Sequence, residues 1–86
     1  MDTHTDKTAL TSAIADELRA HMARRHVTQE QLAAAIGTTG PTVNRYATGK
    51  RDIPLRTLVS MCRALDVSAG QLLDDAIVIV NAQRGE

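Results

Sequence analysis

The sequence predicts an all-α domain of five helices joined by short turns, and three observations predict it. Apolar residues recur at three- and four-residue spacing along most of the chain. Helix-start signals stand at Thr28–Gln31 and at Ser68–Gln71, each a hydroxyl residue followed three positions later by glutamine. Helix-stop signals stand at Gly37 and Gly49, and Pro41 and Pro54 open the segments that follow.

The first helix is expected from Thr8 to Arg25, because Leu10, Ile14, Leu18 and Met22 form one apolar stripe and Arg24 and Arg25 suit the negative end of the helix dipole. In the second, the Thr28 hydroxyl can accept from the backbone N–H three residues on while Gln31 reaches back, and Val27 and Leu32 stand where a hydrophobic staple would close over that cap. Its alanine-rich middle suits close approach by a neighbour, and Gly37 can take the left-handed conformation that ends it. The third helix starts two or three residues later, capped by Thr39 or Gly40, with Pro41 in its first turn and Val43 and Ala47 inward. The fourth runs from Pro54 to about Leu65, with Leu55, Leu58, Val59, Cys62 and Leu65 inward. Ser68–Gln71 repeats the capping box and Val67 with Leu72 repeats the staple, opening the fifth. From residue 77 two readings stand side by side: Leu72, Leu73, Ala76, Ile77 and Val80 continue a helical stripe, but Ile77–Val80 is a β-branched run typical of a strand. The division expected is a flexible segment over 1–7, one domain over 8–76 and a tail over 77–86, frayed at Arg84–Glu86.

Composition narrows the function. Eighty-six residues make one small domain, with no room for a substrate domain. Cys62 is the only cysteine, so no internal disulfide forms, and with no base in evidence to activate it the thiol reads as a small core residue. The acidic start is not a secretory signal and the longest apolar runs are five residues, far short of a membrane span, so a reducing, cytoplasmic setting is expected. His4, His21, His26 and Cys62 match no zinc spacing, and neither a Gly-rich phosphate loop nor a catalytic acid pair is present. No metal, cofactor, small-molecule ligand or enzymatic activity is expected.

The net charge of zero conceals a division. Between Arg19 and Arg63 eight basic residues face two acids (Glu30 and Asp52), a balance of +6, whereas residues 1–18 and residues 64–86 each carry −3. A basic middle is the footprint of phosphate binding, since each neutralised phosphate releases counterions. Within it lie two short helices about a Gly-containing turn, the second polar on its outer faces through Thr42, Asn44, Arg45 and Thr48. That is a helix-turn-helix pattern, in which the second helix fits the major groove of B-DNA and the first braces across the backbone.

From Ile14 to Asp75 the chain resembles the lambda-repressor/Cro-type helix-turn-helix family, also called the XRE family. The resemblance rests on Thr28-Gln29 followed by Leu32-Ala33, on Gly37, Val43, Arg45 and Gly49-Lys50-Arg51, and on Ala64–Ser68 before Leu72-Leu73. It implies a five-helix, lambda-repressor-like fold that binds double-stranded operator DNA. It also implies that Thr39, Thr42, Asn44 and Arg45 read bases, with Arg45 the strongest candidate because its planar fork can pair both acceptors of a guanine. Gln29, Thr48, Lys50, Arg51 and Arg56 fall where the family meets phosphates. Gly40 and Pro41 occupy slots that often carry readers, yet offer no donor.

Two departures stand out. An acid and an arginine that pair in the family are both replaced by apolar residues, Ala47 and Met22, and the glycine that ends the first helix is His26. Tyr46, the lone aromatic, reads equally as a packing residue or a phosphate donor. The small size points to a repressor, phage-borne or from a bacterial host, that excludes polymerase. A homodimer is expected through Leu73, Ile77 and Ile79, which would otherwise leave apolar surface exposed. The alternative is a protein-interaction module, such as the antitoxin of a toxin–antitoxin pair, with Ile77–Val80 as its partner surface.

Overall fold

The computed structural model describes residues 3–83, with side chains from residue 9 onward. Its elements are α1 (Thr3–Arg25), α2 (Gln29–Ile36), α3 (Gly40–Ala47), α4 (Leu55–Ala64) and α5 (Ala69–Gln83), with no strand among the described residues. The expected all-α, five-helix architecture is the one found. α1 begins five residues before its expected start, since neither glycine nor proline interrupts residues 3–8. The fraying expected of Arg84–Glu86 lies outside the described residues.

α1 lies along α5 and also meets α3; α2 packs on α3 and α4, and α4 on α5. The main core joins Leu18 and Met22 of α1 to Leu32 and Ala33 of α2, Val43, Tyr46 and Ala47 of α3, and Met61 and Leu65 at the end of α4. Burying each of the larger apolar side chains contributes about 1.5–3 kcal/mol. A second cluster, Ala13 with Ala76 and Val80, fastens α5 to α1, and a third, Leu58, Cys62 and Leu72, fastens it to α4. Tyr46 is therefore a packing residue, 6% exposed. Cys62 is buried, and desolvation pushes its thiol up from its ordinary pKa of 9.0, as fits a structural residue.

Packing also settles the tail. The β-branched run continues α5 to Gln83: Leu72, Ala76 and Val80 are buried while Asp74 and Val78 between them are exposed, a pattern that suits a helix and not a strand, which would put all five on one face. Leu55 departs from expectation: it is 70% exposed, because at the first position of α4 its side chain leans toward the helix N-terminus, past the edge of the core. Met61 is fully buried in its stead.

The ends of the helices explain the tight turns. The capping box at Thr28 is complete: Gln31 N–H donates to Thr28 Oγ1 at 3.0 Å, and Thr28 N–H donates to Gln31 Oε1 at 2.9 Å. At Ser68 only half forms: Gln71 N–H donates to Ser68 Oγ, but the Gln71 side chain turns forward and donates to Asp75 Oδ1 at 2.9 Å. Helices α1 to α4 each end on a left-handed residue, in order His26 (φ 54°), Gly37 (77°), Gly49 (75°) and Asp66 (56°). After α1, Val27 N–H returns to Met22 O at 3.0 Å and His26 N–H to Ala23 O, the double hydrogen bond of a Schellman turn. His26 thus adopts the conformation a glycine would hold without strain.

The left-handed backbone at His26 costs about 1–2 kcal/mol, partly offset by the greater unfolded-state entropy of glycine. His26→Gly is expected to stabilise the fold by about 0.5–1 kcal/mol, seen as a rise of a few degrees in thermal midpoint. A lower midpoint contradicts this account.

Candidate nucleic-acid interface

α3 is eight residues long and its two sides have separate duties. Val43, Tyr46 and Ala47 are buried, which turns Pro41, Arg45 and Thr48 to solvent and leaves Thr42 and Asn44 half-buried at the edges. Thr39 is the N-cap: its hydroxyl accepts from Thr42 N–H at 3.4 Å and lies 3.0 Å from the Thr42 hydroxyl. The two candidate readers at this end are thus held together at the rim. At the other end Thr48 Oγ1 donates to Asn44 O at 2.7 Å, so its hydrogen satisfies a terminal carbonyl of α3.

Between the start of α2 and the outer side of α3 lies an open concavity lined by Gln29, Glu30, Gly40, Pro41, Asn44, Arg45 and Lys50. It gathers four of the nine residues expected to touch DNA: Gln29, Asn44, Arg45 and Lys50. Asn44 Nδ2 donates to Gln29 Oε1 at 3.3 Å, tying the two helices together at the floor of the concavity. With its oxygen so engaged, Gln29 presents its amide N–H₂ as the free end, the polarity a phosphate oxygen needs.

Arg51 and Arg56 stand outside this concavity. The Arg51 guanidinium lies over the Tyr46 ring, 5.9 Å from its centroid, on the side where α3 meets α1. Such stacking limits the freedom of a charge that is exposed to solvent. Arg56 lines a groove beside the turn between α2 and α3, with Ile36, Gly37 and Thr38. Together with exposed Arg45 and Lys50 they spread positive charge over several sides of the α2–α3 unit. Among the described residues no three His, Cys, Asp or Glu side chains come close enough to hold a metal ion, and no helix is long and apolar enough to cross a membrane.

Two residues here escaped sequence reasoning. Arg19 donates through Nη1 to Ala47 O, and through Nη2 to Asp16 Oδ1. An arginine of α1 therefore still secures the end of α3, through a backbone carbonyl, while Met22 and Ala47 both join the main core. The positive charge on Arg19 was visible in the sequence, but its reach to a backbone atom had no sequence counterpart. Glu30 is the second: it brings a carboxylate into the concavity, against Gly40. Its position beside Gln29 at the start of α2 was the available signal.

A helix-turn-helix domain profile matches residues 13–76, most of the chain and nearly the span of the resemblance read from the sequence. Among proteins of curated function no sequence matches. Among solved structures, one crystal structure of the clp gene regulator ClgR from Corynebacterium glutamicum superposes with a TM-score of 0.81 at 26% identity, covering 88% of this chain and 81% of that one. A second ClgR structure gives 0.74 at 28% identity, covering 79% of this chain and 88% of the other.

The Gln29–Asn44 bond is tested by a double-mutant cycle on unfolding free energy. Gln29→Ala and Asn44→Ala are expected to couple by about 0.5–1.5 kcal/mol. Strict additivity would mean that the bond does not tie α2 to α3. With the family pattern spanning α2 and α3, and with the fold of a solved gene regulator, this chain belongs to the helix-turn-helix domain family.

Proposed function

We propose that this chain is a sequence-specific regulator that binds operator DNA with α3 in the major groove and represses transcription. The observation that carries the reading is the division of α3. Its inner side is locked by Val43, Tyr46 and Ala47, while Asn44 and Arg45 face a concavity shared with Gln29 and Lys50. A helix held so firmly can keep base-reading side chains in register, and the N-terminus of α2 supplies donors beside it for the backbone. Arg45 reads guanine, with Thr39, Thr42 and Asn44 contributing at the groove edge. Gln29, Lys50, Arg51 and Arg56 meet phosphates, and Thr48 joins them by turning its hydroxyl hydrogen from Asn44 O to the DNA. A domain seated over a promoter excludes polymerase without further contacts, which is why repression is the reading. The ClgR likeness supports a role in gene regulation.

Two copies acting on a pair of half-sites one helical turn apart gain both affinity and specificity. The surface we assign to that pairing is α5. Ile77 and Val78 are 46% and 65% exposed, while Leu73 and Ile79 are already half-covered by clusters of their own chain. Ile77 is therefore the member of the expected trio most free to meet a partner. The same exposed pair favours one second reading, an antitoxin that shields a protein partner through α5.

Selection from a random duplex pool, followed by binding of the winner across salt concentrations, tests the proposal. A palindromic motif with a steep salt slope is expected, and no enrichment at low salt would transfer the case to the protein-partner reading. On the selected site Arg45→Ala should relax discrimination at one or two base pairs by about 1–3 kcal/mol. Lys50→Ala should weaken all sequences alike and lower the salt slope by about one. Identical behaviour of the two variants on every sequence would refute this division of labour.

A further inference from the structure

Gly40 poses a question that its backbone does not answer. Gly37 and Gly49 hold left-handed conformations that favour glycine, but Gly40 is the first residue of α3 and its φ is not positive. The cap is Thr39, so Gly40 is not needed there either. What occupies the space its missing side chain leaves is the carboxylate of Glu30. A Cβ built on Gly40 would stand 3.1 Å from Glu30 Oε2, 3.6 Å from Cδ and 3.7 Å from Cγ. Among the described residues Glu30 accepts no side-chain hydrogen bond and forms no ion pair, so its acceptor oxygens are free.

We propose that Glu30 is a specificity-determining residue, reaching from α2 into the slot vacated at Gly40 to accept a hydrogen bond from the exocyclic amino group of a base in the major groove. The inference rests on the DNA-binding reading above and adds to it a reader outside the recognition helix. A carboxylate is an acceptor only. Cytosine N4 and adenine N6 are the major-groove groups that can donate to it, whereas guanine O6 and N7 and thymine O4 present lone pairs and are repelled. On a surface otherwise furnished with Gln29, Arg45 and Lys50, an unpaired acid would oppose the phosphates. An amino base turns that penalty into discrimination. Gly40 and Pro41 offer neither donor nor acceptor in their side chains, so it is Glu30 that brings a hydrogen-bonding group to their part of the concavity. Arg45 stands five residues further along α3, a rise of roughly 7.5 Å. At about 3.4 Å per base pair the two readers address positions about two pairs apart.

The test is random-duplex selection with the wild type, Glu30→Ala and Glu30→Gln, each first checked for an unchanged thermal midpoint, which the exposure of Glu30 leads us to expect. The wild-type motif should carry an amino base near the guanine assigned to Arg45, and whether that base is cytosine or adenine identifies the donor. Glu30→Ala should lose the preference at that position alone, by about tenfold. Glu30→Gln, which both donates and accepts, should redirect it toward adenine or, if the wild type already takes adenine, admit guanine and thymine as well. If Glu30→Ala retains the wild-type motif at every position and merely binds all duplexes more tightly, the carboxylate only repels phosphates and the proposal fails while the DNA-binding reading stands. A wild type that enriches no motif overturns both.

Discussion

An isolated helix of eight residues is unstable in water, because the turn that nucleates it fixes several dihedral angles for one hydrogen bond. α3 exists because Val43, Tyr46 and Ala47 are buried among residues of α1, α2 and α4. Its ends are held as well, by the Thr39 cap, by Thr48 on Asn44 O, and by Arg19 on Ala47 O. Everything exposed on α3 takes its direction from that burial. The arrangement leaves its outer residues free to vary in identity, since they contribute little to the core, while allowing them little freedom in position.

The short turns are a second constraint. Left-handed residues end four helices in succession, and those at His26 and Gly37 let the next helix start after a turn of only three residues. At Gly37 this brings the start of α3 back against the start of α2, where Asn44 meets Gln29 and Glu30 meets Gly40. His26 and Asp66 perform the same reversal with side chains that strain it, and Arg25 lies 3.4 Å from Asp66 across the surface between these two turns. That pair is exposed and contributes little to stability.

Charge follows the same division. α5, which carries Asp74 and Asp75, touches α1 and α4 but neither α2 nor α3. Asp74 and Asp75 are thereby kept on an element apart from the concavity, which holds Arg45 and Lys50. A chain of zero net charge can in this way present a polyanion with a locally positive surface.

The sequence by itself determined the five helices, the complete cap at Thr28, the left-handed stops at Gly37 and Gly49, and most of the core stripe, because these depend on spacing and on backbone preferences that act within a few residues. That Gln29, Asn44, Arg45 and Lys50 are candidates for contact with DNA was legible too, through the resemblance of their string to a known family, but their gathering in one concavity apart from Arg51 and Arg56 was not. Only the tertiary structure decided the rest. Whether Ile77–Val80 is strand or helix turned on the presence of α1, which rewards the register that buries Ala76 and Val80. Gln71 left the cap of α5 for Asp75, Leu55 fell beyond the core edge, and Tyr46 turned inward, each through neighbours distant in sequence or by a choice between equal local partners. The carboxylate of Glu30 meets Gly40 ten positions away for the same reason: a contact between helices has no signature in the periodicity of either one.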